Sequence, residues 1–430
     1  MNQFLQKLLR LLLLVGPGLF CVGYTIGTGS VTTMIKTGSQ YGMSLLWVVV
    51  ASCFFCGVMM EAYGRFALVT GETTIHAFRK YFGAPVAILV AVMVILGQWF
   101  CLSGLVGLSS EAIYQLGAIF VPSVAEMNRY WFVLGTAAFV MVIVYAILWV
   151  GNYSRLETLL VLLVTFLGLS FFVSNFYVHP QLAQVFAGFL PQKATFFPAE
   201  TGGKFSMDAA LLIASLVGTT LAAPTFVVRP LLLRGKGWTR ENLRTQTGDV
   251  CFSTLVMFAV NAAILCCACG AIFNRGGEPI QKVLDMVQTL TPIAGSQAVI
   301  LFLIGLISAG LSSIFPIVMV APLLIGDYRE GELRIQTPLF RIIVAFVCCL
   351  GLMVPLLGAN PVAAQILTQI AQVFVLPLVI GLMMILVNRR SIMGAYRAGI
   401  LLNLGMIGAF LFSLVISGIA VRGLMSLLNL

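Results

Sequence analysis

The chain contains very little charge. Of its 430 residues only 9% are Asp, Glu, Lys or Arg, whereas 60% are apolar. A soluble domain carries about 25% charged residues, so this chain has too few charges to cover a surface in water. The composition therefore excludes a soluble globular protein and predicts a chain that is surrounded by lipid.

The sequence also lacks the residue sets that enzymes and metal proteins use. Its only two histidines, His76 and His179, lie in predicted loops, and its ten cysteines fall inside apolar stretches. The cysteine spacing fits neither a disulfide framework nor a zinc site. No nucleophile–base set, phosphate loop or cofactor motif is present. We therefore expect neither an enzyme nor a bound cofactor.

Long apolar runs are what the chain has instead. Eleven of them reach the roughly 20 residues that an α-helix needs to cross a bilayer. They are continuous rather than alternating, which argues against a transmembrane β-barrel. The sequence predicts an all-α integral membrane protein with spans at about 11–36, 43–67, 84–110, 129–150, 156–177, 205–233, 248–273, 296–324, 340–358, 361–387 and 396–421.

Basic residues predict how the chain lies in the membrane. Lys7 and Arg10 precede an apolar run that resembles a signal peptide, but no small-residue cleavage site follows, so we interpret the run as the first span. If the N-terminus is inside, most of the 24 Lys and Arg residues fall in cytoplasmic segments. The net charge of +10 then predicts no nucleic-acid partner. We expect a multi-pass protein of the cytoplasmic (inner) membrane, whose partner is the lipid bilayer, with its C-terminus outside.

Two of the predicted spans contain helix-breaking residues at corresponding places. Residues 23–30 read GYTIGTGS, and residues 218–225 read GTTLAAPT. Glycine lowers helix stability by about 1 kcal/mol, and Pro224 removes a backbone donor. Such residues also permit close helix packing, which is the simpler interpretation. Paired breaks in two halves, however, are typical of secondary transporters with inverted repeats, whose substrate site lies at the breaks.

The span count divides the chain accordingly. Five spans in residues 1–177 form a first repeat, and an outer loop follows at 178–204. Five spans in residues 205–387 form a second repeat of opposite orientation, because five is odd. Residues 388–430 add an eleventh helix and a short outer tail. A second outer connection is predicted at 274–295, with a short interfacial helix at Pro279–Leu290.

Several motifs, in this order and spacing, resemble the NRAMP family of divalent metal transporters over nearly the whole chain. They include Gly16-Pro17-Gly18, Arg155-Leu156-Glu157, the run from Ala309 to Ser313 and the run from Arg389 to Gly394. The resemblance implies a LeuT-like 5+5 inverted-repeat bundle of 11 transmembrane helices, with helices 1 and 6 broken. It also implies alternating access around those two helices.

The residues with which that family binds metal are missing. The family's Asp-Pro-Gly-Asn in helix 1 is Gly27-Thr28-Gly29-Ser30 here, and its Met-Pro-His-Asn in helix 6 is Ala222-Ala223-Pro224-Thr225. A second family histidine is replaced by Arg229, and the carboxylates of helix 3 are absent from residues 97–104. Helix 10 keeps Thr368-Gln369, which matches the family's Ser-Gln. No metal site is therefore predicted.

A neutral site changes the expected substrate, because Mn²⁺ and Fe²⁺ need charged or strongly polar ligands to replace their water. The run Ile26-Gly27-Thr28-Gly29 is similar to a turn of amino-acid transporters, in which a half-helix N-terminus meets the substrate carboxylate. We therefore favour a small carboxylate-bearing or amino-acid-like solute. The alternatives are a divalent cation, hydrated Mg²⁺ more readily than Mn²⁺ or Fe²⁺, and a transport-inactive receptor. H⁺ or Na⁺ is a possible coupling ion.

The predicted site combines both breaks with helix 10. Its substrate-binding residues are Thr25, Gly27, Thr28, Gly29, Ser30, Thr220, Leu221, Ala222, Ala223, Thr225 and Gln369. Residues that could couple or gate transport are Arg229, Glu61, Asp249 and Thr368. Simpler interpretations exist for three of these. Glu61 lies one turn from Arg65 and could form an interfacial ion pair. Asp249 could favour a helix start, and Arg229 could be an interfacial anchor or an anion-facing charge.

Overall fold

A computed structural model describes residues 18–150, 153–178, 181–192, 195, 206–276, 283–332 and 337–427. Residues 11–17, with which the first predicted span begins, lie outside this range. All regular secondary structure in the described residues is helical, as predicted.

The α-helices follow the predicted spans closely. In the first half they are α1 (Gly18–Thr25), α2 (Thr28–Tyr41), α3 (Leu46–Thr70), α4 (Thr74–Phe82), α5 (Ala84–Phe120), α6 (Pro122–Glu126), α7 (Arg129–Val150), α8 (Tyr153–Val178) and α9 (Leu182–Ala187). In the second half they are α10 (Met207–Thr220), α11 (Ala223–Val227), α12 (Arg229–Gly235), α13 (Leu243–Ala271), α14 (Val283–Glu330), α15 (Pro338–Gly351), α16 (Met353–Leu357), α17 (Pro361–Gln372), α18 (Leu376–Asn388), α19 (Arg390–Met393) and α20 (Ile400–Leu427).

Within the described residues, nine helical segments are long and apolar enough to cross a membrane. The two predicted spans not among them are the first, which is divided into α1 and α2, and the fifth, α8. In α8 the described apolar part is the shorter segment Leu162–Phe176. The all-helical membrane fold is confirmed, whereas the count of eleven spans stays a prediction.

Both predicted breaks are present. Ile26 and Gly27 separate α1 from α2, and Leu221 and Ala222 separate α10 from α11. Gly27 has an extended backbone (φ −87°, ψ −175°) at the start of α2, so the helical hydrogen bonds restart there. Pro224 occupies the first turn of α11, where a missing N–H costs nothing. Helices 1 and 6 are therefore broken where the sequence predicted.

Two glycines allow the broken helices to approach α17 closely. A Cβ atom at Gly218 would collide with the backbone carbonyl of Gln369, and one at Gly29 would collide with the Gln369 side-chain amide. These two glycines therefore permit close helix packing and also lie beside the helix breaks, so the two interpretations of the glycines hold together. Because α2 and α10 both lie against α17, the two breaks share a common wall.

The segment 274–295, predicted as an outer connection with a short interfacial helix at Pro279–Leu290, is helical in its described part, but that helix is not separate from the next span. Helix α14 begins at Val283 and continues without interruption to Glu330, over 48 residues. Pro292 lies inside it, but a single proline removes only one backbone donor. Asp285 lies in the first turn, where the helix dipole favours an acid. This helix packs against α5 and α8 beside the breaks.

Candidate functional site

A small cavity lies between the two helix breaks. Its volume is about 20 Å³, which is room for about one water molecule. Its walls come from α1, α2, α5, α10, α14 and α17 and from the two breaks. The lining residues are Tyr24, Thr25, Gly27, Gly29, Ser30, Gln98, Cys101, Leu105, Thr219, Ala222, Ile317, Gln369 and Gln372.

The cavity brings together about half of the predicted substrate-binding residues. Those that line it are Thr25, Gly27, Gly29, Ser30, Ala222 and Gln369. Those that are buried beside it without lining it are Thr220, Leu221, Ala223 and Thr225. The side chain of Thr28 lies outside the described part of the structure. The helix 1 prediction thus placed more residues on the wall than the helix 6 prediction did.

Three helix ends meet at this cavity. The first hydrogen bond of α2 runs from the Val31 N–H to the Gly27 carbonyl (2.9 Å), so the N–H groups of residues 28–30 have no partner within the helix. They give this end a partial positive charge. The C-terminal ends of α1 and α10 contribute carbonyl groups and partial negative charge. The cavity can therefore attract a cation toward one wall and an anion toward another.

A chain of buried side-chain amides forms one wall. The Tyr24 hydroxyl donates to Gln98 Oε1, and Gln98 Nε2 donates to Gln372 Oε1 at 3.0 Å. Gln372 Nε2 then donates to Gln369 Oε1 at 3.2 Å, and Gln369 Nε2 to Gln365 Oε1 at 3.4 Å. All four glutamines are buried. We call Gln98, Gln365, Gln369 and Gln372 the glutamine chain; it joins α5 to α17.

The direction of the glutamine chain is fixed at one end by the backbone. Gln365 Nε2 donates to the carbonyl of Cys101 at 2.7 Å, and a carbonyl oxygen can only accept. Each amide oxygen therefore accepts from the next glutamine, and the Tyr24 hydroxyl must donate at the far end. The three glutamines that line the cavity, Gln98, Gln369 and Gln372, each keep a spare oxygen lone pair. The wall is polar, neutral and pre-oriented.

Two predicted hydroxyls are already engaged by the protein. Ser30 Oγ donates to Asn261 Oδ1 of α13 at 2.6 Å, and both residues are buried. Thr25 Oγ1 donates back to the carbonyl of Cys21 at 2.9 Å. Because their hydrogens are used in these bonds, the two hydroxyls offer oxygen lone pairs to the cavity.

The nearest buried charges form a cluster that does not line the cavity. Arg229 Nη2 lies 2.6 Å from Asp249 Oδ2 and donates to Gln246 Oε1 at 3.0 Å. The Gly18 N–H at the start of α1 donates to Asp249 Oδ2 at 2.9 Å. We call Arg229, Asp249 and the Gly18 N–H the ionic latch; it connects α1, α12 and α13.

The simpler predictions for Arg229 and Asp249 are wrong. Arg229 is fully buried, so it is not an interfacial anchor, and it faces Asp249 rather than an anion at the break. Helix α13 begins at Leu243, so Asp249 lies in its second turn and not at its start. Asp249 instead accepts from the backbone N–H of Gly18 on α1, which is distant in sequence.

The other two gating candidates do not line the cavity either. Glu61 pairs with Arg65 at 3.2 Å, as their one-turn spacing predicted, and it accepts from Gln246 Nε2 at 2.9 Å. Glu61 is thus linked to the ionic latch through Gln246. Thr368 Oγ1 donates to the Gln365 carbonyl at 2.9 Å and does not line the cavity.

The described residues contain no group of three or more His, Cys, Asp or Glu side chains that could hold a metal ion. No carboxylate is among the described residues that line the cavity. Any ion bound there would meet amide, hydroxyl and carbonyl oxygens. These are ligands that suit hard cations such as Mg²⁺ better than transition metals.

Sequence reasoning missed Tyr24, Gln98 and Gln372. A signal was available, because residues 365, 369 and 372 recur at helical spacing on one face of an apolar span. Polar side chains inside a membrane span are costly unless they face a partner or a cavity. What the sequence did not show is that Gln98 on α5 would continue the same row.

Comparisons with known proteins agree on one family. Residues 18–423 match the family model described as natural resistance-associated macrophage protein-like, Nramp. The divalent metal cation transporter MntH of Deinococcus radiodurans is 24% identical over 405 residues, covering 90% of this chain and 84% of that protein. MntH of a Nostoc species is 26% identical over 410 residues, covering 92% and 86%.

Solved structures share the fold. The manganese transporter of Eremococcus coleocola superposes with a TM-score of 0.71 at 17% identity, covering 99% of this chain and 90% of that one. MhsT, solved with L-phenylalanine, gives a TM-score of 0.62 at 15% identity, covering 95% and 98%. These neighbours confirm the LeuT-like fold. Because the family model also spans nearly the whole chain, the resemblance seen in the sequence is confirmed, and the chain belongs to the Nramp family of membrane transporters, not to a family of enzymes.

Proposed function

We propose that the chain is a secondary transporter of a small, hard divalent cation, with Mg²⁺ favoured over Mn²⁺ and Fe²⁺. The observation that carries the proposal is the small cavity between the breaks, whose polar lining consists of uncharged hydroxyl, amide and thiol groups without a carboxylate among the described residues. Relatives that align over about nine-tenths of the chain are named divalent metal cation transporters. Their names give no support to the carboxylate-bearing solute that the sequence favoured.

The neutral wall decides how the ion would be held. Removing all water from a divalent ion in a low-dielectric site without carboxylates is very costly. Mg²⁺ gives up its water reluctantly and keeps several waters when bound. We therefore infer a partly hydrated ion that contacts amide oxygens of the glutamine chain and carbonyls at the ends of α1 and α10. The cavity would have to widen to admit those waters.

A second candidate rests on a specific observation. The free N–H groups at the start of α2 form an anion-binding end, and MhsT, which shares the fold, was solved with an amino acid. A small carboxylate could bind there. The cavity of about 20 Å³ would have to widen for this ligand as well as for a hydrated ion. What favours the cation is that relatives aligned over about nine-tenths of the chain are named divalent metal cation transporters.

Uptake into proteoliposomes separates the two candidates. We expect saturable Mg²⁺ uptake, followed with an internal magnesium indicator, and no saturable Mn²⁺ uptake at micromolar metal. Gln369→Leu should reduce Mg²⁺ uptake at least tenfold, because it removes a wall amide and breaks the glutamine chain. Gly135→Ala, which alters an open position on α7, is the matched control and should transport normally.

Three outcomes would overturn the cation proposal. Uptake of a labelled amino acid or small carboxylate without divalent uptake would favour the second candidate. Robust Mn²⁺ transport that Fe²⁺ or Cd²⁺ competes for would show that neutral ligands suffice for transition metals. A folded protein that binds one of these solutes but moves none would indicate a receptor.

A further inference from the structure

A long apolar groove runs along the outside of the bundle, between α5 and α14. Its volume is about 420 Å³. Residues of one α5 face form most of its walls, and the end of α14 supplies the rest. The lining residues are Ile88, Ala91, Val92, Ile95, Leu96, Trp99, Leu324, Ile325 and Tyr328. Its floor is recessed, because Ala91 is small and nearly fully buried whereas Ile88 and Val92 on the rim are about half exposed.

The two ends of the groove differ in chemistry. One end is apolar and closed by Trp99, whose ring packs edge-on against Phe346 at 5.6 Å. The other end carries a cation: the Arg79 guanidinium lies 4.6 Å from the centre of the Tyr328 ring, and Arg79 Nη1 donates to the Tyr328 carbonyl at 3.0 Å. A groove with one charged end matches an amphipathic ligand.

The charge at this end is available for binding. Arg79 is exposed, and the salt bridges formed among the described residues do not include it. Its remaining guanidinium N–H groups can form charge-assisted bonds with phosphate oxygens. Lys80, the next residue, is instead paired with Glu72. Of these two neighbouring cations, Arg79 is therefore the one that no described carboxylate neutralises.

The length of the groove fits one acyl chain. From Ile88 to Trp99 the helix rises by about 16 Å, which is close to half of the roughly 30 Å hydrocarbon core. A chain that lies in the groove would thus cross one leaflet, starting from the membrane surface at which Arg79 lies. Basic residues at that depth are where anionic lipid headgroups bind.

We propose that this groove is a binding site for one anionic phospholipid of the leaflet at the Arg79 end. One acyl chain lies over Ala91 between α5 and α14, and the phosphate contacts the Arg79 guanidinium. The site holds α5 and α14, which also line the cavity between the breaks, so bound lipid would stabilise the packing of these two helices.

Native mass spectrometry of the purified protein tests the proposal. Phosphatidylglycerol and phosphatidylethanolamine with identical acyl chains are added in equal amounts, and the first retained lipid is counted. We expect wild type to prefer phosphatidylglycerol about fivefold, the effect of one basic residue near the surface. Arg79→Gln should remove this preference, and Ala91→Leu, which fills the floor, should reduce retention of both lipids.

Arg240→Gln provides the matched control. Arg240 also lies over a tyrosine ring, that of Tyr396, at 5.2 Å, but neither residue lines this groove. It should leave the lipid preference unchanged. Equal retention of both lipids by wild type would overturn the proposal, and so would equal losses in Arg79→Gln and Arg240→Gln. Unfolding temperatures and elution volumes show whether each variant is folded. If Ala91→Leu does not fold, the comparison of Arg79→Gln with Arg240→Gln still tests the proposal.

Discussion

Gln369 occupies the position where the two breaks and α17 meet. Its side chain accepts from Gln372 and donates to Gln365 and Cys101. Its backbone carbonyl lies against Gly218 of α10, and its amide against Gly29 of α2. At the scale of single residues, Gln369 therefore contacts both broken helices, so a substitution of Gln369 would alter their packing as well as the cavity wall.

Charge at this position should decide which metal binds. Gln369→Glu adds a carboxylate without adding volume, and we expect it to create saturable Mn²⁺ binding that wild type lacks, because Mn²⁺ then has a charged ligand. Isothermal titration calorimetry of both proteins measures it. Gln369→Leu, which adds no charge, is the control. Mn²⁺ binding as strong in wild type as in Gln369→Glu would contradict the argument that the neutral wall excludes transition metals.

Gly29 should not tolerate even one methyl group. A Cβ there meets the amides of Gln369 and Gln365, so Gly29→Ala displaces the glutamine chain. We expect Mg²⁺-induced thermal stabilisation to fall to near zero while the protein still folds, because the displaced atoms are flexible side-chain ends. The measurement is a thermal shift with and without Mg²⁺. Gly135→Ala is the control, because nothing lies within 4 Å of a Cβ atom there, and it should respond to Mg²⁺ as wild type does. A normal response in Gly29→Ala would contradict the assignment of the glutamine chain to the Mg²⁺ site.

At the scale of elements, the ionic latch holds the start of α1. Asp249 on α13 accepts from the Gly18 N–H and pairs with Arg229, which is fully buried on α12. Helix α1 cannot move away from α13 without losing these bonds. A helix that ends at the cavity is thus also bonded, at Gly18, to the carboxylate of a buried ion pair.

Breaking one partner of the latch should loosen α1. Asp249→Asn leaves Arg229 buried without its counter-charge, which costs about 3–5 kcal/mol. Arg65→Gln removes an ion pair that is partly exposed and should cost about 0.2–1 kcal/mol. Chemical denaturation measures both. Maleimide labelling of Cys21, which is buried on α1 beside Arg229, should rise in Asp249→Asn only; equal labelling in both variants would argue against a latch.

At the scale of the whole molecule, the chain is a multi-pass membrane protein whose orientation rests on its basic residues. With eleven spans and the positive-inside rule, the N-terminus should be cytoplasmic and the C-terminus external. Reporter fusions check this. We expect alkaline phosphatase fused to the C-terminus to be active and green fluorescent protein there to be dark, with the reverse pattern after residue 388. Matching signals at both fusion points would contradict a single membrane span between residue 388 and the C-terminus.

The sequence by itself determined the membrane environment, the helical fold and the positions of both breaks. These features depend on composition and on local residues: apolar runs must be helical in lipid, and glycine and proline interrupt a helix wherever they occur. Thr25, Gly27, Gly29 and Ser30 could be placed at the cavity for the same reason, since all four lie within six residues around one break.

Only the tertiary structure decided which distant side chains would complete the site. Gln98 joins Gln372 across 274 residues, and Asp249 accepts from the Gly18 N–H across 231 residues. No local pattern records such pairs, because they depend on how α5, α13 and α17 pack around the breaks. The sequence placed Asp249 at a helix start and Arg229 at an interface, since each is the common place for a lone charge. Packing brought the two together, because a buried charge is stable only beside its opposite.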